Sequence, residues 1–377
     1  METFFADLRW QEIIFSVFCL TIIIQLFYYG WFFSRLAFFK STTREKSQQH
    51  PVSVIICAKD EATKLAANLP GSLVQTYPTT HEVIVVNHTS QDDTRFLLEE
   101  LKKTFKGLHI VNLQQDAIGI PGKKYPLSVG IKESKYEIVL LTDADCVPAS
   151  EFWIEKMQEA YNDGIEVVLG YGAYHKKPGL LNKLIRFETF HSALQYFSYA
   201  LAGTPYMGVG RNLSYKKELF FRNKGFSSIN HLPGGDDDLF INKVATEKNT
   251  AIVIDPETFT LSESKKTFGA WFKQKSRHYS ASKFYKPKHK FLLGLYSISQ
   301  FFLYPLFIVS IIFFSWKLSL IVFGARFIFQ AFIYFKTMKK LNEKDLFAWW
   351  WLFDIWMFLY YLIFVPALWK KPPPSWN

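Results

Sequence analysis

Two aspartates one residue apart stand directly after the strand-like run Glu137 to Leu141, in the stretch Thr142-Asp143-Ala144-Asp145. Carboxylates placed just past a strand end can share one divalent cation. A hard ion such as Mg2+ or Mn2+ prefers oxygen ligands and keeps positions open for a diphosphate. Its charge then offsets the charge developing on a departing nucleotide. Taken alone, the same pair is equally two solvated aspartates on a loop. A second acidic run, Asp236-Asp237-Asp238, follows a glycine pair and precedes an apolar helix-like segment. Three adjacent carboxylates repel, which raises at least one toward the range a general base needs; acids in a first helical turn are also stabilising in their own right. On a helix, Gln274 and His278 lie one turn apart with Arg277 beside them. Pro205 to Asn212 carries Gly208 and Gly210, where backbone can approach a ligand closely or simply turn.

The elements that must hold these groups are legible as an alternation. Val52–Cys57, Glu82–Val86, His109–Leu113 and Glu137–Thr142 read as strands; Ala62–Gln75, Asp92–Phe105 and Tyr125–Ser134 read as the helices between them. Continuous apolar strands joined by helices imply a mostly parallel sheet covered on both faces, an α/β domain. Ligands on such sheets bind beyond the carboxyl ends of the strands, where the first two motifs fall.

Apolar residues make up 49% of the 377 residues, and they are segregated. The run from Ile13 to Ala37 carries no charge before Arg35 and is long enough to cross a hydrocarbon core of about 30 Å. Basic Lys40, Arg44 and Lys46 follow, which by the positive-inside rule places residue 40 onward in the cytosol. Residues 267–286 mix aromatics with cations and read as an amphipathic helix at the membrane surface. Three further apolar segments cover about 291–315, 318–335 and 346–368, with Lys336, Lys339, Lys340 and Lys344 marking a cytosolic turn. With four crossings both termini lie outside; Lys370 and Lys371 then fall on the wrong side, so the last segment has a re-entrant or interfacial alternative. The expected organisation is 1–40 an N-terminal membrane helix, 41–266 a cytosolic domain, 267–290 an interface helix and 291–377 a membrane bundle. Within that bundle Arg326 and Asp354 are expected to form a structural pair, with a polar acceptor path as the alternative. The net charge of +11 gathers beside the apolar segments with no nucleic-acid motif, which excludes a nucleic-acid partner and favours an anionic membrane face. Cys19, Cys57 and Cys146 have no metal-site spacing and read as reduced thiols.

Together these motifs, with Ala58-Lys59-Asp60-Glu61, Asn87-His88 to Thr94, Gly122-Lys123-Lys124 and Gly208 to Leu213, resemble membrane-bound family-two glycosyltransferases of the GT-A fold over about residues 50–285, with a cellulose-synthase-like motif set. The resemblance implies that Ala58, Asp60 and Glu61 line a nucleoside pocket. Asn87 stands where the family has an aspartate for the uracil ring, and can still offer an amide to a pyrimidine edge. Lys123 or Lys124 approaches the diphosphate. Asp143 and Asp145 serve ribose, metal and diphosphate, with Asp145 the metal ligand. Aligning on Leu239 makes Asp236 the general base, with Asp237 the fallback and Gly235 where Glu is common. Gln274, Arg277 and His278 take the place of Gln-x-x-Arg-Trp, His replacing Trp. Gly208, Arg211 and Asn212 form an acceptor-side loop. The implied enzyme is an inverting glycosyltransferase of an inner membrane. It would use Mg2+ or Mn2+ and a nucleotide-sugar donor, with a uridine diphosphate sugar expected, and a lipid-linked or glycan acceptor at the membrane. A processive polysaccharide synthase is the alternative enzyme; an inactive membrane scaffold of the same fold is the alternative class, since Asn87, Gly235 and His278 all depart from the family pattern. A nucleotidyltransferase lacks its Gly-rich start after the first strand.

Overall fold

The computed structural model describes residues 9–40, 50–162, 164–364 and 366. Arg44, Lys46, Lys370 and Lys371, used above to argue orientation, lie outside them.

The four expected strands are present as β1 (Val52–Ala58), β2 (His81–His88), β3 (Leu108–Leu113) and β4 (Ile138–Asp143). They pair in parallel in the order β3-β2-β1-β4. Val54, Val83, Val85 and Val139 are fully or almost fully buried, as β-branched residues on a two-sided sheet should be. The short strands β5 (Cys146–Pro148), β6 (Val167–Leu169), β7 (Gly172–Tyr174), β8 (Leu213–Lys216), β9 (Thr250–Ile252) and β10 (Thr260–Ser262) complete the domain. β8 runs antiparallel between β4 and β6, and β9 closes the edge of a seven-stranded sheet; β5, β10 and β7 form a separate small sheet. The order reverses direction at β4 and β8, beside which the acidic motifs emerge.

A long helix, Leu180–Leu201, lies between this sheet and the apolar helices, with fifteen of its 22 residues buried. It carries Arg186, Glu188 and His191 inward, each with a partner. Arg186 pairs with Glu343 and Asp345, Glu188 pairs with Lys275, and His191 Nε2 lies 3.2 Å from the Tyr296 hydroxyl.

Four helices are long and apolar enough to cross a membrane: Trp10–Phe38, Pro287–Phe313, Trp316–Lys340 and Lys344–Phe364. Their outward faces expose Ile23, Phe291, Ile321 and Ile328. The first contains a π-helical turn, Tyr28–Phe33, where Phe32 stacks on Tyr199 of the long helix at 4.6 Å. Sidedness follows from contacts. Arg35 donates to the Leu201 carbonyl and Lys340 to the Phe39 carbonyl, so the end of the first span and the turn after the third meet the α/β domain on one side. Trp10 and Phe15 meet Phe313 and Phe314 at the other. The fourth span begins as a 3-10 segment, Lys344–Trp349, and is helical through Phe364. The second starts at Pro287 rather than near 291, because proline at the first helical position starts it four residues early.

The bundle is tied at its centre by one residue or more from each span. Arg326 Nη1 donates to Asp354 Oδ2 at 2.6 Å, and Nη2 to Gln300 at 3.0 Å and Gln25 at 3.3 Å. Gln330 and Tyr304 donate to the same carboxylate at 2.7 and 2.6 Å. Both charges are essentially inaccessible, so the pair is structural. Asp354→Ala, which strands a buried guanidinium, should cost about 3–5 kcal/mol. Adding Arg326→Met should recover part of that loss; thermal unfolding of the full chain in detergent measures both.

Candidate active site

The carboxyl end of β4 delivers Asp143 and Asp145 into a cleft floored by the sheet. Asp143 Oδ1 lies 2.7 Å from Lys123 Nζ, and the same ammonium is 3.4 Å from Asp236 Oδ2. One lysine therefore bridges the acid at the strand end and the first acid of the Asp236-Asp237-Asp238 run. Burial alone would raise the Asp143 carboxyl; Lys123, with Arg211 and Arg277 farther off, outweighs it and holds the group below the usual range. Burial would lower the Lys123 ammonium, but Asp143, Asp236 and Asp237 push it well above its ordinary value. Beneath them the Cys57 thiol is pushed up to about 12 by burial, so it stays protonated.

The three consecutive acids are sorted by geometry. Asp237 accepts from the Gly210 amide and the Asp238 amide, both at 2.8 Å, and caps the helix Asp238–Val244. Asp238 accepts from the Tyr285 hydroxyl at 2.8 Å. Asp236, only 6% exposed, faces Lys123. The loop that aims it is fastened from below. Lys124, expected near a diphosphate, is buried instead, and its amine donates to the carbonyls of Leu232 and Gly234. Gly122 has φ 80° and a Cβ there would meet the Pro233 carbonyl oxygen at 2.3 Å, so the lysine turn packs directly on the acidic loop.

The metal expectation fits the donor set. Ligand atoms of Asp143, Asp145 and Cys146 all lie within 4.8 Å of one another, and among the described residues no ion pair reaches Asp145. Burial and the two aspartates hold the Cys146 thiol well above its ordinary value, so the carboxylates are the groups suited to a hard cation.

The helix Phe268–Ser282 packs Trp271 and Tyr279 on Tyr360 and Phe364 of the last apolar helix. Arg277 lies near enough to act on Asp143. The Gln274 side-chain oxygen is buried without a hydrogen-bond partner. Desolvation first, and then the positive charges of Lys275, Arg277, Arg211 and Lys123, hold the His278 imidazole well below its ordinary value and therefore neutral. After this helix the chain is stitched to the acidic motif's helix: besides Tyr285, the Lys286 amide donates to Asn242 Oδ1 at 3.0 Å, and Asn242 Nδ2 meets His289 Nδ1 at 2.9 Å.

Residues 53–221 match the family model described as glycosyl transferase family 2. The chain carries a family-two glycosyltransferase domain. Poly-beta-1,6-N-acetyl-D-glucosamine synthase of Staphylococcus epidermidis is 30% identical over 159 residues, 41% of this chain and 36% of that protein. Glycosyltransferase AglE of Haloferax volcanii is 30% identical over 122 residues, 32% of this chain and 36% of that protein. The chain thus spans about a third of the length of these curated relatives. Among solved structures, mannosyltransferase PcManGT from Pyrobaculum calidifontis, in complex with GDP-Man and Mn2+, aligns with a TM-score of 0.58 at 18% identity, over 92% of this chain and 99% of that one. That likeness is one of fold, and it is the GT-A fold. A span of 92% cannot be met by residues 41–266 alone, so it takes in apolar helices as well.

The cleft brings together Lys123, Asp143, Asp145 and Asp236, with Arg277 and His278 near them, and other expected residues are engaged by structural partners. Asn212 is a correction. It is fully buried, with its amide nitrogen donating to the carbonyls of Tyr171 and Thr258 and its oxygen accepting from Trp153, so it has no atom free for substrate. Arg211 stacks on Tyr174 and donates to Ala173 and Ser262, a scaffold role. Gly208 is wedged against Leu213 and Leu169. Ala58 is fully buried at the end of β1. Asp60, at φ 55°, closes a turn with Ser90 and Gln91, and Glu61 pairs with Lys64. Asn87 donates to Asn112 Oδ1 at 2.9 Å and keeps a buried oxygen without a hydrogen-bond partner. Tyr285 and the Glu188–Lys275 pair escaped sequence reasoning. The signal for the latter was a lone acid in an apolar helix, which in a buried setting needs a cation.

Gly235, the departure from the family's Glu, has a steric reason. Its φ is 94°, and a Cβ would stand 2.5 Å from Leu239 Cδ1. Gly235→Glu, although it restores the common residue, should destabilise by roughly 1–3 kcal/mol, read as a lower midpoint in thermal unfolding. A pH effect follows from Asp238. Burial and Asp237 raise its carboxyl to about 7, against the lowering hydrogen bond from Tyr285. The folded protein keeps a proton there that the unfolded chain releases above about 4. This contribution to stability is therefore full below about 4 and lost as pH rises toward 7. Asp238→Asn should raise the melting temperature at pH 8 and leave it nearly unchanged at pH 4, checked by scans at both.

Proposed function

We propose that the chain is an inverting glycosyltransferase that moves a sugar from a nucleotide-sugar donor to an acceptor held at the membrane. The observation that carries this reading is the bridge from Asp143 through Lys123 to Asp236, which brings a diphosphate-side acid and a base to one point. Asp236 accepts the proton of the acceptor hydroxyl as its oxygen attacks the anomeric carbon. Arg277 and Lys123 take up charge on the departing diphosphate. Mg2+ or Mn2+ on Asp143 and Asp145 would add Lewis-acid neutralisation of that diphosphate. Asp237, both of whose oxygens serve backbone amides, caps and does not act as base. Asn87, whose partner Asn112 leaves one amide oxygen unengaged, receives the nucleobase edge.

A lipid-linked acceptor is favoured because the helix that carries Arg277 is packed on the last apolar helix. The basic residues around Lys336 to Lys344 favour a cytosolic α/β domain on a bacterial-type inner membrane. The named activity of the Staphylococcus epidermidis relative supports a second reading, processive synthesis of a polysaccharide. The experiment is transfer from radiolabelled UDP-GlcNAc and GDP-Man by the full chain in native membranes, with product length resolved. Asp236→Asn and Asp145→Asn should each lower transfer by roughly 10²–10⁴-fold, while Asp237→Asn keeps most of it. Undiminished transfer by Asp236→Asn would remove the assignment.

A further inference from the structure

We propose that Lys123 is a shared counter-ion that withholds Asp143 from a divalent cation until a diphosphate arrives to take its ammonium. One of the two Asp143 carboxylate oxygens, Oδ1, already holds Lys123 at 2.7 Å. A divalent ion on either oxygen of this carboxylate would sit within a few ångströms of that ammonium, like charge beside like charge. Lys123 is held in place from both sides, since Asp236 is its second partner at 3.4 Å and Gly210 leaves no room behind it; a Cβ there would be 3.2 Å from Nζ. Lys124 cannot substitute, because its amine is committed to the Leu232 and Gly234 carbonyls.

A diphosphate changes this balance. Its oxygens offer the ammonium new partners, which frees Asp143 for the metal and removes the cation from Asp236. Metal and diphosphate then bind with positive coupling, and the base is released only in the loaded cleft.

The inference rests on Asp143 and Asp145 being the metal site, and the experiment separates the two. Mn2+ alone, and Mn2+–pyrophosphate, are titrated into the purified full chain in detergent. Electron paramagnetic resonance reads the first and calorimetry the second. In wild type, Asp145→Asn should abolish the binding of Mn2+–pyrophosphate; if there is none to abolish, both the site and the inference fall. Lys123→Met should bind Mn2+ alone roughly 10- to 100-fold more tightly, the equivalent of one charge-assisted hydrogen bond no longer displaced. The same variant should bind Mn2+–pyrophosphate more weakly. General damage would weaken both, so opposite signs are the signature. Shifts in the same direction, or no shift in Asp145-dependent binding, overturn the proposal and leave the metal site standing. Should Lys123→Met not fold, Lys123→Gln repeats both titrations, and Lys123→Arg, which keeps the cation, should match wild type for Mn2+ alone.

Discussion

Acids that converge at the end of a sheet repel one another, and a buried carboxylate without a partner is costly. The cleft answers both constraints with two adjacent lysines that do different work. Lys123 lies between Asp143 and Asp236 and neutralises the cluster. Lys124 reaches down and fastens the loop from which Asp236 projects. The rest of the site is arranged around this pair. Gly122 lets the lysine turn touch Pro233, Gly235 lets the acidic loop fold over Leu239, and Asp237 gives up both oxygens to hold that loop in register.

The same rule operates inside the apolar bundle, where water cannot solvate a charge. Arg326 and Asp354 are each surrounded by amide and hydroxyl groups from neighbouring spans, so all four helices share one network. Helices in lipid gain little from apolar contact with each other; directional bonds of this kind and close aromatic packing hold them in register.

The parallel half of the sheet was legible because strands buried on both faces are unbroken apolar runs, and β1 to β4 fall within a residue or two of their expected places. β6, β8 and β9 are three or four residues long and antiparallel or edge-placed, too short to stand out from loop sequence. The helix Leu180–Leu201 is buried nearly all round, so it lacks the one-sided apolar face that marks a surface helix. The motif acids could be found by spacing. Their division of labour could not, because Asp236, Asp237 and Asp238 are equivalent as letters and become distinct only through Lys123, Gly210 and Tyr285. Asn212 shows the reverse case: a polar residue beside two glycines reads as a ligand contact, yet its side chain joins three elements of the core.

The stitching of Tyr285, Lys286 and His289 to the helix that follows Asp236 has a mechanical meaning. No slack tether separates the second span from that helix. The depth at which Pro287–Phe313 settles in lipid therefore sets the altitude of the Asp236 carboxyl above the bilayer. A thicker or thinner bilayer around that helix would lift or lower the Asp236 carboxyl with it, as a float carries a hook.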